Sequence, residues 1–289
     1  MRLPVIFTFA FLVWAGVGFS QDFIDDVEWS ESFEKKLARI AEEGRGLTMG
    51  EVKEAVSGKV DGRVSAPKKT ATVGDKGPID IYASVSPAVV AIGSVYQCGE
   101  CDKWHQEGFS SGWILSPDGL VVTNAHVFEG GKKDVPGVMT RDGEVFPIEE
   151  IVAVDSEADI VIFRITTRGG KLPFLPLAEK ASVGEEVHVL SHPQGRLWCL
   201  TSGRISRFHR QRYVEGKVPT DWMSVTADFA GGSSGGPIVN ARGEVVGMVS
   251  STQTAYSEAS ECKDHPEPDV QMVFKDCVPL NSLRGVIGD

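Results

Sequence analysis

Three short stretches of the sequence carry residue types that together could perform acyl transfer. His126 lies in VVTNAHV just after an apolar run, Asp159 opens the apolar run in SEADIVIFRI, and a serine pair lies in the loop GGSSGGPIVN. A serine hydroxyl is a weak nucleophile at neutral pH, and histidine has the pKa that a contacting base needs. A buried carboxylate fixes the imidazole tautomer and stabilises the imidazolium that forms. We therefore predict His126 as a general base, Asp159 as the residue that orients it and a loop serine as the nucleophile.

The glycines of GGSSGGPIVN indicate what the loop around the serine does. Glycine permits positive φ and close approach, so consecutive N–H groups can point at one oxygen and form an oxyanion hole. The same letters match the G-x-S-x-G elbow of α/β hydrolases, which needs a helix after the serine and a histidine downstream. Here Pro237 and β-branched residues follow, and the only downstream histidine, His265, lies in a polar loop. The elbow interpretation is therefore rejected.

The elements that must position these residues are short strands. From Ile79 onward the sequence consists of runs rich in Val and Ile, such as GLVVTN, DIVIFRI and EVVGMVS, with turn residues between them. Many short strands without an intervening helical pattern favour β-barrels or a β-sandwich over a parallel α/β sheet. The chain order His, Asp, Ser is the order found on paired β-barrels. We predict an all-β fold.

The first twenty residues have the features of a targeting segment. Arg2 precedes the apolar run Leu3–Phe19, and Gly18 and Ser20 supply small residues where a signal peptidase reads the chain. We predict a signal peptide over residues 1–20 and a secreted or periplasmic protein. If the segment is not cleaved it would serve as an N-terminal membrane anchor, and the sequence leaves that alternative open.

Residues 21–57 predict a short helical extension. Apolar side chains recur there at helical spacing: Trp29, Phe33, Leu37 and Ile40. Thr48–Glu51 reads as a capping box that begins a second helix, and residues 58–77 lack periodicity and predict a linker. Residues 78–289 then form the domain with the predicted catalytic residues. Since residues 21–77 hold no catalytic candidate, we expect them to be dispensable for chemistry and to pack on the domain or mediate homo-oligomer formation.

Charge limits the classes of partner. The 29 basic and 40 acidic residues give a net charge of −11 at pH 7. An acidic chain repels phosphate backbones, so we expect no nucleic acid partner. The predicted chemistry uses side chains alone, and we expect no cofactor.

Five cysteines fit an oxidising compartment. Cys98 and Cys101 form a CGEC motif, and His105 follows four residues later. Structural zinc sites usually have four protein ligands, and the sequence indicates no fourth one, so we predict no metal and favour a small disulfide-closed loop. The other three suggest a second pair and a buried free thiol: Cys262 with Cys277, and Cys199. The disulfide pairing itself stays open.

The blocks TNAHV, DIVIFRI and GGSSGGPIVN together resemble the catalytic blocks of trypsin-like serine peptidases, in particular the bacterial HtrA (Deg) branch. Further similarities are YASVSPAVVAI, LSHPQG ahead of TSGRIS, and CVPLNSLRGVI, so the resemblance covers residues 79–288. It implies two packed six-stranded antiparallel β-barrels of the chymotrypsin type and peptide hydrolysis through an acyl-enzyme. It also implies that the nucleophile is Ser234 and that the oxyanion donors are the N–H groups of Gly232 and Ser234.

The sequence departs from the pattern of that family in two places. HtrA peptidases usually carry one or more PDZ domains after the peptidase domain, and because the sequence ends at Asp289 we expect none here. Ser233 stands where Asn or Asp is usual. It cannot form the ion pair with a newly cut N-terminus that activates trypsin-like zymogens.

The resemblance also implies candidates for substrate specificity. Asp228 lies six residues before Ser234, the spacing that puts a residue at the base of the S1 pocket, where an Asp would favour Arg or Lys. Ser250 and Thr252 would line the pocket walls. A structural role for Asp228 is the alternative, since HtrA relatives tend to prefer small aliphatic residues.

The function predicted from these features is a serine endopeptidase that hydrolyses protein or peptide substrates. Two alternatives stay open: a protease-fold chaperone or binding module with latent or lost activity, and an esterase with the same triad. Because all three predicted triad residues are present, the enzyme is the favoured hypothesis.

Overall fold

The computed structural model describes residues 23–58, 60, 62–67, 74–129, 134–167, 169–211, 220–257 and 269–288. The predicted signal peptide and Cys262 lie outside these residues. Within them, no helix is both long and apolar enough to cross a membrane.

Two helices form the predicted extension, α1 (Asp26–Glu42) and α2 (Met49–Ser57). Asp25 caps α1 by accepting hydrogen bonds from two backbone N–H groups of its first turn, and the predicted capping box of Thr48 and Glu51 is present at the start of α2. Phe33 and Leu37 of α1 are fully buried. The apolar stripe of α1 therefore packs on the protein itself and is not free to bind a second copy.

The chain between α2 and the first barrel differs from the prediction of a structureless linker followed by β-structure. Val64–Ser65 forms a short strand, β1, and Pro78–Val85 forms a helix, α3. Proline occupies the first turn of α3, where its missing N–H has no helical partner to lose and its fixed φ suits a helix.

The first barrel is a closed antiparallel sheet of six strands in the order β2-β3-β4-β7-β6-β5. Its strands are β2 (Val89–Gln97), β3 (Trp104–Ile114), β4 (Leu120–Thr123), β5 (Val135–Met139), β6 (Val145–Asp155) and β7 (Ile160–Ile165). Apolar side chains on both faces of this sheet are buried: Trp113 lies on one face and Phe163 on the other, and both are fully buried. A closed sheet of this kind leaves no unpaired edge.

The second barrel is also closed and antiparallel, in the order β8-β9-β10-β13-β12-β11. Its strands are β8 (Glu186–Ser191), β9 (Cys199–Gln211), β10 (Thr220–Val225), β11 (Pro237–Asn240), β12 (Val245–Tyr256) and β13 (Val270–Pro279). The helix α4 (Leu280–Val286) and the strand β14 (Ile287–Gly288) follow, and β14 pairs with β1 in parallel. The predicted all-β fold of two six-stranded barrels with a helical N-terminal extension is confirmed.

One apolar cluster joins the extension and the two barrels. It includes Phe33 of α1, Trp113 of the first barrel and Met248 of the second. Because buried side chains from all three parts are in mutual contact, the barrels and α1 pack as one core. The loops that carry His126, Asp159 and Ser234 follow β4, precede β7 and precede β11, respectively.

Candidate active site

His126 lies in a 3₁₀ turn, Ala125–Phe128, directly after β4. Its Nδ1 is 2.7 Å from Asp159 Oδ2, and its backbone N–H donates to Asp159 Oδ1 at 3.0 Å. The carboxylate thus holds the ring from two directions. Since Nδ1–H donates to Asp159, the neutral ring leaves Nε2 with a lone pair.

The backbone of Asp159 has an unusual conformation. Its φ is +58°, in the left-handed region that few residues other than glycine adopt. Its carbonyl oxygen accepts from Asn124 Nδ2 at 2.9 Å, and its Oδ2 also accepts from Ser250 Oγ at 3.1 Å. Such conformations cost about 1–3 kcal/mol and persist where the surroundings over-determine them, commonly at functional sites.

The pKa of His126 is raised above 6.5 by competing influences. Burial alone lowers it, because burial disfavours the charged ring. The hydrogen bond that His126 donates to Asp159, the negative charge of Asp159 and the charge of Glu129 all favour the imidazolium, and together they outweigh burial. The ring is therefore placed to accept a proton and to hold it.

Ser234 lies in the tight turn before β11 and is connected to Asp159 through Ser250. Its Oγ donates to the backbone oxygen of Ser250 at 3.2 Å, and the hydrogen bonds of the described residues do not include one from Ser234 Oγ to His126. The backbone oxygen of Ser234 accepts from Ser111 N on β3 at 2.9 Å. Catalytic hydrogen bonds are often loose without substrate, and a rotation about χ1 of Ser234 would redirect the hydroxyl.

The predicted oxyanion residues lie in the same turn. Gly232 has a φ of +91° and Gly235 one of +82°. A Cβ at Gly235 would collide with the Thr123 side chain and the Ser111 carbonyl. Neither Gly232 N nor Ser234 N donates to another described residue, so both N–H groups are available to a developing oxyanion.

The sequence did not indicate the polar groups that support this turn. Ser111 Oγ donates to Gly232 O at 2.9 Å. Ser233, fully buried, accepts from Ser191 Oγ at 3.0 Å and from Ala230 N at 3.3 Å. Ser233 therefore stabilises the turn through neutral hydrogen bonds. A serine carries no charge, so it cannot form an ion pair at this position.

The loop between β8 and β9 forms the other side of the turn. Gln194 N donates to Gly231 O at 2.7 Å, and His192 lies fully buried behind it, with Nδ1 accepting from Trp198 N at 2.9 Å. Burial lowers the pKa of His192 to about 3, so this histidine is neutral and structural. Helix α1 holds the loop from outside, since Asp26 Oδ1 accepts from Leu197 N at 2.9 Å.

A groove of about 550 Å³ separates the first turns of α1 from the Ser234 turn. Residues of four segments line it, namely α1, β3, the loop between β8 and β9, and the turn before β11: Asp26, Ser30, Gln106, Phe109, Gln194 and Gly232. The extension was expected to pack on the domain or to mediate homo-oligomer formation, and the structure shows that it also forms one wall beside the predicted oxyanion residues.

The predicted specificity residues do not form one set. Ser250 contacts Ser234 and Asp159, as described, whereas Thr252 is exposed on β12, opposite Lys275 of β13. The side chain of Asp228 is 87% exposed and lies 3.6 Å from Lys275 Nζ. That ammonium group also donates to Phe229 O at 2.7 Å. Asp228 is thus turned outward and faces a cation, unlike a carboxylate at the base of a pocket.

The cysteines that the structure describes are free thiols: Cys98, Cys101, Cys199 and Cys277. Cys98 Sγ and Cys101 Sγ are 3.4 Å apart, so the favoured disulfide is not formed. Cys199 is partly exposed, not buried as expected, and Cys277 is buried.

Comparisons with known proteins agree with this geometry. Residues 110–248 match the family model described as a trypsin-like peptidase domain. The chain is 34% identical over 146 residues to the "Putative serine protease HhoA" of Synechocystis, which covers 49% of this chain and 36% of the relative. It is 34% identical over 173 residues to "Serine protease HTRA1" of Xenopus laevis, which covers 58% of this chain and 37% of the relative.

A third relative carries a location in its name. The chain is 33% identical over 145 residues to the "Probable periplasmic serine endoprotease DegP-like" of Halomonas elongata, which covers 50% of this chain and 29% of the relative. The chain thus spans about a third of the length of the curated relatives it matches. The paired barrels, the family match over residues 110–248 and these relatives together show that the chain contains a trypsin-like peptidase domain, which is similar to serine proteases of the HtrA type.

Proposed function

We propose that the protein is a serine endopeptidase in which Ser234 is acylated, His126 is the general base and Asp159 orients it. The observation that supports the proposal is the pair of hydrogen bonds that the Asp159 carboxylate accepts from His126, at 2.7 Å from Nδ1 and 3.0 Å from the backbone N. The bond to Nδ1 selects the tautomer in which Nε2 can accept a proton. The similar proteins from Synechocystis, Xenopus laevis and Halomonas elongata are all named as serine proteases or endoproteases, which supports peptidase activity for this protein.

The proposed reaction begins when Ser234 Oγ turns from the carbonyl of Ser250 toward His126 Nε2. Oγ attacks the carbonyl carbon of the scissile bond while its proton passes to Nε2. The oxyanion of the tetrahedral intermediate accepts hydrogen bonds from the N–H groups of Gly232 and Ser234. The C–N bond then breaks and the imidazolium protonates the leaving amine. In the second half of the reaction, water attacks the acyl-enzyme while His126 accepts its proton, and the imidazolium then returns that proton to Ser234 Oγ as the acid is released.

Protein or peptide substrates suit the surroundings of the triad. The exposed residues after Ser250 on β12 offer an extended backbone beside Ser234, along which an extended peptide could add as a strand. An ester would be attacked by the same hydroxyl, so activity on a small ester would not exclude peptidase activity.

A latent module is the second candidate function, favoured by one observation. Ser234 Oγ donates to Ser250 O and not to His126. In a chaperone or binding module this arrangement would persist when a peptide binds, and no acyl-enzyme would form.

Labelling with a fluorophosphonate probe, followed by peptide mapping, tests both candidates. The endopeptidase should carry the label on Ser234 and should cleave casein, and Ser234→Ala should lose both. Because triad residues act as a unit, Ser234→Ala should lower kcat by about 10⁶-fold. Ser233→Ala tests which of the two adjacent serines is labelled: it should still carry the label on Ser234, although the turn loses the two hydrogen bonds of the Ser233 hydroxyl. Labelling of Ser233, or casein cleavage no faster than in Ser234→Ala, would contradict the proposed triad.

We also propose that residues 1–20 direct the protein to the periplasm or the cell exterior. The support is the basic start and apolar run of the segment, together with the periplasmic relative. Fractionation of cells that express the full sequence, with N-terminal sequencing of the product, tests this. A mature chain that begins at Gln21 in the soluble exported fraction is expected, and retention of Met1 in the membrane fraction would indicate an anchor.

A further inference from the structure

A cluster of metal-binding residue types lies outside the candidate active site, at the tip of the hairpin formed by β2 and β3. Cys98 follows β2, Cys101 lies in the turn, and His105 is the second residue of β3. Cys101 Sγ is 3.4 Å from Cys98 Sγ and 3.1 Å from His105 Nε2. All three donor atoms lie within 4.8 Å of one another.

These separations are close to the edges of a metal tetrahedron. With Zn–S bonds of about 2.3 Å and Zn–N bonds of about 2.0–2.1 Å, a tetrahedral ion holds two sulfurs about 3.8 Å apart and sulfur and nitrogen about 3.6 Å apart. The observed contacts are shorter by about 0.4 Å and 0.5 Å. Small rotations of exposed side chains in a turn supply such a change.

The sheet and α1 hold the histidine in place. In the register of the hairpin His105 pairs with Tyr96, and their rings lie 5.6 Å apart. The neighbours of His105 bind α1, since Trp104 Nε1 donates to Glu42 Oε1 at 3.0 Å and Gln106 N donates to Glu34 Oε2 at 2.9 Å. His105 is therefore presented to the two thiols by a fixed strand.

The donor set selects the kind of ion. Two thiolates and one imidazole suit borderline-soft cations such as Zn²⁺, whereas Mg²⁺ and Ca²⁺ prefer carboxylate and carbonyl oxygens. Both cysteines are exposed, so a fourth coordination position faces solvent. The sequence argued against a metal because it offered no fourth protein ligand, but water completes a three-ligand zinc site.

We propose that Cys98, Cys101 and His105 form a Zn²⁺ site with one position open to water or an exogenous ligand. The site belongs to the hairpin and is distinct from the predicted triad, whose chemistry needs no metal. It rests on no assumption about peptidase activity.

Zinc binding by the full chain tests the proposal directly. The protein is reduced with a phosphine under argon and titrated with Zn²⁺ in competition with a chromophoric chelator, and with Co²⁺ to observe thiolate-to-cobalt charge transfer. One equivalent should bind. Loss of an outer-shell partner already weakens metal binding by about 10–100-fold, so Cys98→Ser, Cys101→Ser and His105→Ala should each weaken it by at least about 100-fold.

A cysteine outside the cluster provides the matched control. Cys199→Ser should bind zinc as the wild type does, and zinc should protect Cys98 and Cys101 from alkylation while leaving Cys199 reactive. The proposal is overturned if the reduced wild type binds no zinc. It is also overturned if the three cluster variants bind zinc as tightly as Cys199→Ser.

Discussion

The substitution Asp159→Asn tests the candidate triad at its most constrained residue. The Asp159 carboxylate accepts from three donors: the backbone N–H of His126, Nδ1 of the same residue and Oγ of Ser250. An amide supplies one oxygen and one NH₂ group. The backbone N–H of His126 cannot reverse its role, whereas the ring can change tautomer, so the amide oxygen should face the backbone and the NH₂ group should face Nδ1.

The expected size of the effect follows from that tautomer. A ring that accepts at Nδ1 carries its proton on Nε2 and cannot act as a base toward Ser234. The corresponding change in a Ser-His-Asp protease lowers kcat by about 10⁴-fold, which is about 5.4 kcal/mol of transition-state stabilisation at 1.36 kcal/mol per tenfold. We expect a loss of that order in kcat for casein or a peptide substrate.

The pH profile provides a second readout. His126 must be neutral to act as a base, so activity falls as the pH drops through its pKa. Because that pKa is raised, half-maximal kcat/KM of the wild type should lie above pH 6.5. Asp159→Asn removes the hydrogen bond and the charge that raise the pKa but leaves burial, which lowers it. The acid limb of the residual activity should therefore move to lower pH.

Asp155→Asn is the matched control. Asp155 lies four residues earlier, and its Oδ1 accepts from Glu157 N at 3.1 Å and Ala158 N at 2.9 Å. An amide oxygen can accept both bonds, as asparagine does in such turns, so kcat should stay within about threefold of the wild type. Wild-type activity in Asp159→Asn, or an equal loss in Asp155→Asn, would refute the assignment.

Three further substitutions test the extension and the specificity residue. Phe33→Ala removes a fully buried ring that packs edge-to-face on Phe109. It should lower the free energy of unfolding, measured in urea, by about 3–5 kcal/mol. The control Lys35→Ala, at an exposed position of the same helix, should change that free energy by less than about 0.5 kcal/mol. Asp26→Ala removes the acceptor of Leu197 N in the loop between β8 and β9, and the loss of one such hydrogen bond should lower kcat/KM by about tenfold. Unchanged kinetics would show that α1 does not support this loop. Asp228→Ser should leave the peptide-library profile, with cleavage after Val or Ala, unchanged because the carboxylate is exposed; cleavage after Arg or Lys that the substitution abolishes would contradict this.

The parts of the structure that the sequence predicted depend on local pattern. Short apolar runs with turn residues between them predict strands because side chains alternate across a sheet and turns need particular backbone angles. The capping box at Thr48 is a signal of four consecutive residues and is present. The placement of His126 and Asp159 beside strand ends could be predicted for the same reason, since each lies next to an apolar run.

The parts that the sequence did not predict depend on contacts between distant residues. The pairing of β1 with β14 joins residues 64 and 287, and the support of the loop before β9 by Asp26 joins residues separated by 171 positions. The spacing of Asp228 from Ser234 indicated a pocket base, but it contained no information on Lys275, which faces that carboxylate from β13. Such partners become visible only when the barrels close.

Ser250 shows how one residue connects the two halves of the candidate mechanism. Its carbonyl accepts from Ser234 Oγ and its own hydroxyl donates to Asp159, so it contacts both the nucleophile and the carboxylate. Moving the Ser234 hydroxyl from Ser250 O to His126 Nε2 exchanges one hydrogen bond for another, and the net value of such a bond is about 0.5–1.5 kcal/mol. A peptide that pairs with β12 beside Ser250 can supply that amount. The latent module and the endopeptidase therefore differ in whether a bound peptide redirects one hydroxyl, while the remaining groups of the site are the same in both.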